Sequence, residues 1–317
     1  MLRIAVLDDY QSVAATYADW SLLPEPAEVV EFHDFVADKS TLVARLAPFD
    51  VVVAMRERTP FPRAVLERLP QLRLLVTTGG SNASIDLQAA AHHDITVCGT
   101  GAHGSGPVEL TWALILAVTR HVQQEDAAVR AGAWQQTVGT DLAGATLGVL
   151  GLGRLGAQVA TIGQAFGMDV VAWSQNLTDE RAREVGVRRV GKDELLAAAD
   201  VVTVHLVLSD RTRGPLGRTE LARMKRTAYL VNTSRGPIID EPALIDALRA
   251  GTIAGAGLDV FDQEPLPADH PLRELRRTVL TPHLGYVTEK TYEVFYRDAV
   301  EDVAAFLAGA PVRVLTP

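Results

Sequence analysis

Three short stretches of the chain place reactive side chains directly after apolar runs: "VNTSRG", "GLDVFDQEP" and "LTPHLG". They contain Arg235, Asp259, Glu264 and His283. A guanidinium offers a forked pair of donors to a carboxylate, a histidine exchanges protons near neutral pH, and a neighbouring carboxylate can orient its ring. Each residue alone also has an ordinary explanation, such as a turn aspartate or a histidine that closes a strand. If the apolar runs are parallel strands, all four side chains lie at one sheet edge, where open α/β sheets bind ligands.

The rest of the chain has the pattern that such a sheet requires. Short apolar runs without strict alternation recur, among them "RIAVL", "DVVVAM", "DVVAWS" and "AYLVNTS", and helical patterns lie between them. Runs of this kind are typical of parallel strands covered by helices on both faces, so the predicted fold class is α/β. Ser40 and Pro62 are expected to begin two of the early helices.

Length and composition limit the class of protein. A chain of 317 residues favours two domains, and 48% apolar with 22% charged residues is ordinary for a soluble globular protein. The net charge of -9 disfavours nucleic acid and anionic membranes as partners. The single cysteine, Cys98, permits no internal disulfide and no cysteine metal cluster, and no signal peptide or membrane span is evident. We therefore expect a cytoplasmic protein without a bound metal.

Two glycine-containing stretches suggest where one domain is inserted into another. The stretch "CGTGAHGSGP" follows Val97 and has no periodicity, which is typical of a hinge. A second turn, "HLGYVT", precedes a long final helical pattern that could return to the first domain. We predict a discontinuous, flavodoxin-like substrate domain at 1–99 and 284–317. Residues 100–283 are predicted to form an inserted dinucleotide-binding domain, and both domains are expected to be Rossmann-like doubly wound parallel sheets.

The segment "TLGVLGLGRLGAQVA" has G-x-G-x-x-G spacing at Gly151, Gly153 and Gly156, between an apolar run and a helical pattern. The first glycine permits a tight turn, the second lets a pyrophosphate approach the backbone, and the third lets helix and strand pack closely. Arg154 and Leu155 complete the loop at the start of the helix, where amide groups favour phosphate. The segment predicts a dinucleotide site.

The choice between NAD and NADP is left open by the residues after the next strand. An acid at its end would bind the adenosine ribose of NAD, but "WSQNLT" places Ser174 there, followed by Gln175 and Asn176. Ser174, Asn176 and Thr178 can hydrogen-bond a 2′-hydroxyl or a 2′-phosphate. Thr178 is also the natural cap of the following helix. Both cofactors therefore remain candidates.

Together these segments resemble the D-isomer-specific 2-hydroxyacid dehydrogenase family, which includes phosphoglycerate, glycerate and D-lactate dehydrogenases. The resemblance is carried by "GLGRLG", "NTSRGPIIDEPAL", "GLDVFDQEPLP" and "TPHLG", in the family's order. It implies an NAD(P)-dependent oxidoreductase that interconverts a D-2-hydroxy acid and its 2-oxo acid, with closure between the domains excluding water.

The resemblance also implies roles for individual residues. Arg235 binds and polarises the substrate, His283 is the acid/base, Glu264 is its carboxylate partner, and Asp259 contacts the nicotinamide carboxamide. With the residues argued above from the sequence, and with His205 because it ends a strand, the candidate cofactor-binding residues are Gly151, Gly153, Arg154, Leu155, Gly156, Ser174, Asn176, His205, Thr233 and Asp259.

Two loops of the outer domain are candidates for substrate binding. "TTGGSNASID" resembles the family's loop whose backbone N–H groups bind the substrate carboxylate, which points to Gly79 and Gly80; a helix capped by Ser84 is the structural alternative. "AMRERTPF" corresponds to another substrate loop, with Arg56 as its candidate. If Arg58 also faces the ligand, the substrate carries a second negative group. Both the "GGSNAS" loop and the hinge differ from the commoner family forms, so substrate identity stays open.

The same residues leave other functions open. A dinucleotide-sensing binding protein, like the family's corepressor relatives, is the second hypothesis, and the intact Arg235, Glu264 and His283 disfavour it. Formate oxidation is disfavoured because relatives with that activity pair the histidine with an amide.

The helix "ELTWALILAV" and the loop after it resemble the family's dimer-forming segment. This predicts a homodimer through the cofactor domain with Trp112 and Trp134 as anchors, unless the helix is simply buried.

Overall fold

A computed structural model describes residues 1–317 and divides into two compact units. The outer unit comprises Met1–Gly104 and Val287–Pro317, and the inserted unit comprises Ser105–Tyr286. The boundaries predicted at 99/100 and 283/284 lie a few residues away from these. Each unit contains one parallel sheet flanked by helices, so the predicted α/β fold class is confirmed.

The strands fall into two all-parallel sheets. The outer sheet has the order β2-β1-β3-β4-β5 and consists of β1 Leu2–Val6, β2 Ala27–Glu31, β3 Val51–Ala54, β4 Leu74–Thr77 and β5 Thr96–Gly99. The inserted sheet has the order β12-β11-β10-β9-β6-β7-β8 and consists of β6 Thr146–Leu150, β7 Asp169–Trp173, β8 Arg188–Arg189, β9 Val201–Val204, β10 Tyr229–Asn232, β11 Gly255–Leu258 and β12 Thr278–Leu280. The strand order of the inserted sheet reverses between β6 and β9, which is the switch point where doubly wound sheets bind ligands.

Twelve helices connect and cover these strands. They are α1 Ala14–Tyr17, α2 Lys39–Leu46, α3 Arg63–Leu66, α4 Leu87–His92, α5 Gly106–Thr119, α6 Val122–Arg130, α7 Arg154–Ala165, α8 Asp179–Val185, α9 Lys192–Ala198, α10 Arg218–Arg223, α11 Glu241–Ala250 and α12 Glu289–Leu307. None of them has the length and apolar character needed to cross a membrane. Central strands such as β3, β4, β9 and β10 are buried at every residue, which explains why they have no alternating pattern.

Two of the predicted helix starts are correct and two are wrong. Pro62 is the N-cap of α3, as expected, and the Thr178 side chain accepts from the Arg181 N–H at the start of α8. The Ser40 prediction is wrong, because Asp38 caps α2 by accepting from the Thr41 N–H at 2.8 Å. The cap of α4 is Asp86 rather than Ser84. In both cases a carboxylate two residues away supplies the acceptor.

Trp112 belongs to the core of the inserted unit. It is 5% exposed and stacks on Phe166 with ring centroids 4.8 Å apart. Gly163 of α7 lies beside this pair, and it is Leu147 that excludes a side chain there, since a β-carbon would lie 2.6 Å from Leu147 Cδ2 and 3.5 Å from the indole. The structure therefore shows the buried alternative for Trp112, and its predicted role as a dimer anchor is wrong.

The C-terminal segment of the outer unit is held against α12 by the Arg313 side chain. This side chain binds Asp302 at 3.0 Å, Glu301 at 3.1 Å and the Asp298 carbonyl at 2.9 Å. Asp302 is fully buried, and its second carboxylate oxygen has no hydrogen-bond partner. Burial raises the pKa of Asp302 from 3.8 to about 7, although Arg313 acts in the opposite direction. The carboxyl group is thus costly to ionise in the folded chain.

This burial predicts a pH-dependent stability difference. The raised pKa means that folding favours protonated Asp302, so its stabilising contribution is complete below pH 3.8 and is lost as pH rises through about 7. Asp302→Asn keeps an acceptor for Arg313 but cannot ionise. The difference between the two proteins should be small at pH 5 and should grow as pH rises towards 8. At pH 8 the variant should melt higher by roughly 3 °C, which corresponds to about 1 kcal/mol in a domain of this size.

Calorimetry at both pH values measures this difference. Glu301→Gln, which changes the exposed acidic partner of Arg313, is the matched control and should show no comparable gain at pH 8. An Asp302→Asn variant that is equally displaced from the wild type at both pH values would show that ionisation of Asp302 does not affect stability.

Candidate functional site

His283 lies in a tight turn after β12 and is oriented by Glu264. Its Nδ1 lies 2.6 Å from the Glu264 carboxylate, and the side chain is 17% exposed. Its backbone has a φ of 55°, which is uncommon for a non-glycine residue. Hydrogen bonds from its N–H to the carbonyls of Asp259 (2.8 Å) and Thr281 (3.0 Å) hold that conformation. Because Nδ1 donates to the carboxylate, Nε2 is the nitrogen left for proton exchange.

Asp259 anchors the turn that presents His283. Its fully buried carboxylate accepts from the Thr281 hydroxyl at 2.6 Å and from the N–H groups of Leu284 and Gly285 at 2.7 and 2.9 Å. Burial raises the pKa of Asp259 above its ordinary value, against the hydrogen bond from Thr281. The turn role that the sequence left open is therefore observed. The contact with a nicotinamide carboxamide stays a prediction.

Glu264 and Arg235 come from neighbouring strand ends. One Glu264 oxygen binds His283, and the other accepts from the Phe261 N–H at 2.9 Å. Arg235 follows β10, and its guanidinium donates to the Ser234 carbonyl at 2.8 Å. The two segments touch directly at Gly236, where a β-carbon would lie 2.1 Å from the Phe261 carbonyl carbon. The guanidinium, the carboxylate and the imidazole thus follow three adjacent strands, β10, β11 and β12.

Asn232 is a site-building residue that the sequence analysis did not identify. It ends β10 and is 1% exposed. Its side chain donates to the Arg235 carbonyl at 2.9 Å and accepts from the Ser234 N–H at 3.0 Å, which closes the turn that carries Arg235. The available signal was an amide at the end of an otherwise apolar strand, where a buried polar group must find partners.

The glycine turn between β6 and α7 fits a dinucleotide pyrophosphate. Gly151 has a φ of 101°, and a β-carbon there would lie 2.6 Å from the His205 carbonyl oxygen. A β-carbon on Gly156 would lie 1.9 Å from the Gly151 carbonyl oxygen, so helix and strand pack too closely for a side chain. Gly153 has no atom within 4 Å of its β-carbon position. This open backbone at the start of α7 is the cradle that a pyrophosphate requires.

The other predicted cofactor residues lie around the same sheet edge. Ser174 is half-buried and Asn176 is exposed after β7, and neither is needed as a helix cap because Thr178 has that role. His205 contacts the Thr203 hydroxyl at 2.9 Å, and burial lowers the pKa of His205 to about 4, so its ring is neutral at pH 7. Thr233 contacts the Thr111 hydroxyl at 2.7 Å.

The outer unit places Arg56 across Gly79. The Arg56 guanidinium donates to the Thr78 carbonyl at 3.1 Å and lies 3.5 Å from the Glu57 carboxylate. Gly79 has a φ of 90°, which favours glycine, and a β-carbon there would lie 1.7 Å from Arg56 Nη1. The Gly79 N–H already donates to the Thr100 hydroxyl at 2.7 Å, so in this conformation it is not available to a substrate carboxylate.

Arg58, the second arginine of this loop, contacts other groups of the outer unit. Its guanidinium donates to the Asp8 carbonyl at 3.1 Å and lies over the Tyr10 ring, 4.8 Å from the centroid. A second negative group on the substrate therefore gains no support from Arg58.

The glycine turn at a sheet switch point, with an imidazole–carboxylate pair and an arginine at the same sheet edge, defines the class of nicotinamide-dependent oxidoreductases. Residues 112–285 match the family model described as D-isomer specific 2-hydroxyacid dehydrogenase, NAD binding domain. The chain belongs to this family. The predicted enzyme class, an NAD(P)-dependent oxidoreductase of 2-hydroxy acids, is confirmed, and the corepressor-like alternative is not supported.

Individual relatives agree with this assignment. Glyoxylate reductase from Aeropyrum pernix is 40% identical over 255 residues, which cover 77% of this chain and 76% of that protein. D-3-phosphoglycerate dehydrogenase from Bacillus subtilis is 36% identical over 84% of this chain, but only 51% of its own length is matched. The crystal structure of a phosphoglycerate oxidoreductase from Vibrio cholerae has a TM-score of 0.93 and 37% identity, covering 98% of this chain and 100% of that one.

Proposed function

We propose that this enzyme reduces a small 2-oxo acid to the D-2-hydroxy acid and catalyses the reverse reaction, with His283 as the acid/base. The observation that carries the proposal is the 2.6 Å contact between His283 Nδ1 and Glu264, in a turn that Asp259 anchors. An oriented imidazole with one free nitrogen is the group that such a reaction needs at the substrate oxygen.

Each residue of the site has a distinct chemical task in this proposal. The nicotinamide, when bound, supplies or accepts the hydride. His283 Nε2 gives a proton to the oxygen that becomes the hydroxyl, and takes it back in the oxidation direction. Glu264 holds the ring and compensates the imidazolium charge. Arg235 binds the substrate carboxylate and polarises the carbonyl through its forked donors.

The cofactor is NAD or NADP, and we assign its pyrophosphate to Gly151, Gly153, Arg154, Leu155 and Gly156. Gly153 and Arg154 are exposed at the start of α7, as this binding requires. Ser174 and Asn176 are assigned to the adenosine ribose. Neither side chain is acidic, so nothing there repels a 2′-phosphate, and both cofactors remain acceptable.

For the outer unit we propose that Arg56 and Gly80 contribute to substrate binding. Arg56 is half-buried and makes two hydrogen bonds to Thr78: its backbone N–H donates to the hydroxyl at 2.9 Å, and its Nη1 donates to the carbonyl at 3.1 Å. A fixed cation of this kind suits a carboxylate. Glu57 beside it offsets part of the charge, which favours a substrate with a single negative group.

A panel of 2-oxo acids tests the proposed function. Glyoxylate, hydroxypyruvate and pyruvate, the keto acids that a small-substrate site accommodates, should be assayed with NADH and with NADPH. We expect saturable oxidation of at least one reduced cofactor by at least one acid, and a D-configured product wherever hydroxypyruvate or pyruvate is reduced. Tight cofactor binding without turnover of any acid would favour a sensing protein instead.

We further propose that the protein is cytoplasmic and forms a homodimer through the inserted unit. The supporting observation is a set of exposed large apolar side chains on α6 and in the loop after it, which we call the patch. Val122 is 54% exposed, Val129 52%, Trp134 73% and Val138 92%. Several large apolar side chains exposed within one short segment of chain favour an interface.

Light scattering coupled to size exclusion measures the proposed assembly. We expect a mass of about twice the chain mass of 34.1 kDa, and a shift to the monomer mass for Trp134→Glu, because a charge would be buried in the interface. Val207→Glu, at an 84% exposed valine outside the patch, is the matched control and should leave the mass unchanged. A wild type that is monomeric at assay concentration would contradict the proposal.

A further inference from the structure

The loop that carries Glu264 is also held by a pair of nearly buried polar side chains that the mechanism above does not use. His270 Nε2 lies 3.0 Å from a carboxylate oxygen of Glu241, the first residue of α11. The two side chains are only 16% and 14% exposed. A buried polar pair of this kind needs defined proton positions to be stable.

The neighbouring hydrogen bonds define where the proton lies. The Leu272 N–H points to His270 Nδ1 at 3.3 Å, so Nδ1 is the acceptor and Nε2 carries the hydrogen that is donated to Glu241. The second oxygen of Glu241 accepts from the Asp262 N–H at 3.3 Å. One carboxylate therefore holds the loop at Asp262 and at His270, on both sides of Glu264.

Glu241 also belongs to the segment that carries Arg235. That segment runs from Arg235 through Gly236 to the start of α11, and it meets the Glu264 loop twice. Gly236 packs directly against the backbone of Phe261 and Asp262, and the Glu241 carboxylate binds the same loop beyond that point. Arg235 and Glu264 thus belong to two segments that contact each other at Gly236 and at Glu241.

We propose that Glu241 and His270 are positioning residues for the reaction, forming a latch that fixes the Glu264 loop relative to Arg235. The inference rests on the proposed roles of Arg235, Glu264 and His283. Its physical basis is that Glu264 must meet His283 at hydrogen-bond distance, and a displacement of about 1 Å in such a site costs on the order of 100-fold in rate.

Substitution of the carboxylate tests the latch. In Glu241→Gln the side-chain amide has only one acceptor oxygen, whereas Asp262 N–H and His270 Nε2–H are both donors. One of the two hydrogen bonds is therefore lost. We expect kcat to fall about 10- to 100-fold. The dissociation constant of the reduced cofactor should stay within about twofold, because the glycine turn at β6 lies four strands away from β12 along the sheet.

His270 provides a conservative variant that separates positioning from general stability. The amide of His270→Gln can still donate to Glu241 and should retain most of kcat, whereas His270→Ala should lose about as much as Glu241→Gln. Asp246→Asn is the matched control on α11. It breaks an exposed pair with Arg218 at 2.6 Å and should leave kcat unchanged.

Two results would overturn the latch. The first is a folded Glu241→Gln enzyme with the kcat of Asp246→Asn, and the second is equal kcat for His270→Ala and His270→Gln. If Glu241→Gln does not fold, the two His270 variants decide alone. A failure of the latch leaves His283→Ala inactive, whereas a failure of the proposed function leaves His283→Ala active, so the two are distinguishable.

Discussion

Replacement of His283 by alanine should lower kcat by about 10³- to 10⁴-fold, the upper part of the range for loss of a general acid/base. The imidazole is the group whose Nδ1 is occupied by Glu264 at 2.6 Å and whose Nε2 remains for the substrate oxygen. Without it the turn loses the side-chain type that exchanges protons most readily near neutral pH. The dissociation constant of the reduced cofactor should change little, because the imidazole makes no bond to the glycine turn.

Steady-state kinetics and a fluorescence titration of the reduced cofactor measure the two quantities separately. His92→Ala, which removes an exposed histidine of the outer unit, is the matched control and should have wild-type kinetics. A His283→Ala enzyme that keeps more than about a tenth of wild-type kcat would remove His283 from its acid/base role.

The substitution Arg235→Lys should lower kcat/KM by about 10²- to 10³-fold, the range observed when one charge-stabilising donor is lost. Lysine keeps the positive charge but not the forked pair of donors that a carboxylate accepts. The backbone of Arg235 is extended, with φ -147°, and Asn232 binds its carbonyl rather than its side chain, so lysine fits the turn without backbone strain. The loss should therefore be chemical rather than structural.

Kinetics with a saturating cofactor, together with the unfolding transition, separate these causes. Arg218→Lys, at an exposed arginine of the same unit, is the control and should change neither kcat/KM nor the unfolding transition. Wild-type kcat/KM in Arg235→Lys would show that charge alone is sufficient and that the forked geometry is not used.

The parts of the fold that are set by local pattern were predictable. Apolar runs without alternation identified buried parallel strands, because residues on both faces of a covered sheet must be apolar. The glycine spacing identified the turn at β6, and its geometry shows why Gly151 and Gly156 must be glycine. Arg235, Glu264 and His283 were found because their segments resemble a known family.

The parts that depend on tertiary contacts were not predictable. Nothing in the local sequence indicates that Arg56 lies across Gly79, or that the Gly79 N–H is donated to Thr100. The burial of Trp112 depends on Phe166, which comes from a different helix-strand unit. Glu241 was missed for the same reason, since it binds Asp262, which is distant from it in sequence. Asn232 is different, because its partners Ser234 and Arg235 are close in sequence and its position at the end of an apolar strand was a usable signal.

Transfer of a deuterium label tests the central claim most directly. The enzyme should be incubated with a 2-oxo acid that it reduces and with cofactor deuterated at both C4 positions, and the product analysed by chiral chromatography with mass spectrometry. The proposed function predicts one deuterium at C2 of the D-hydroxy acid in wild type, and no product at a comparable rate in His283→Ala. An L-configured product, or a product whose C2 hydrogen comes from water, would contradict it.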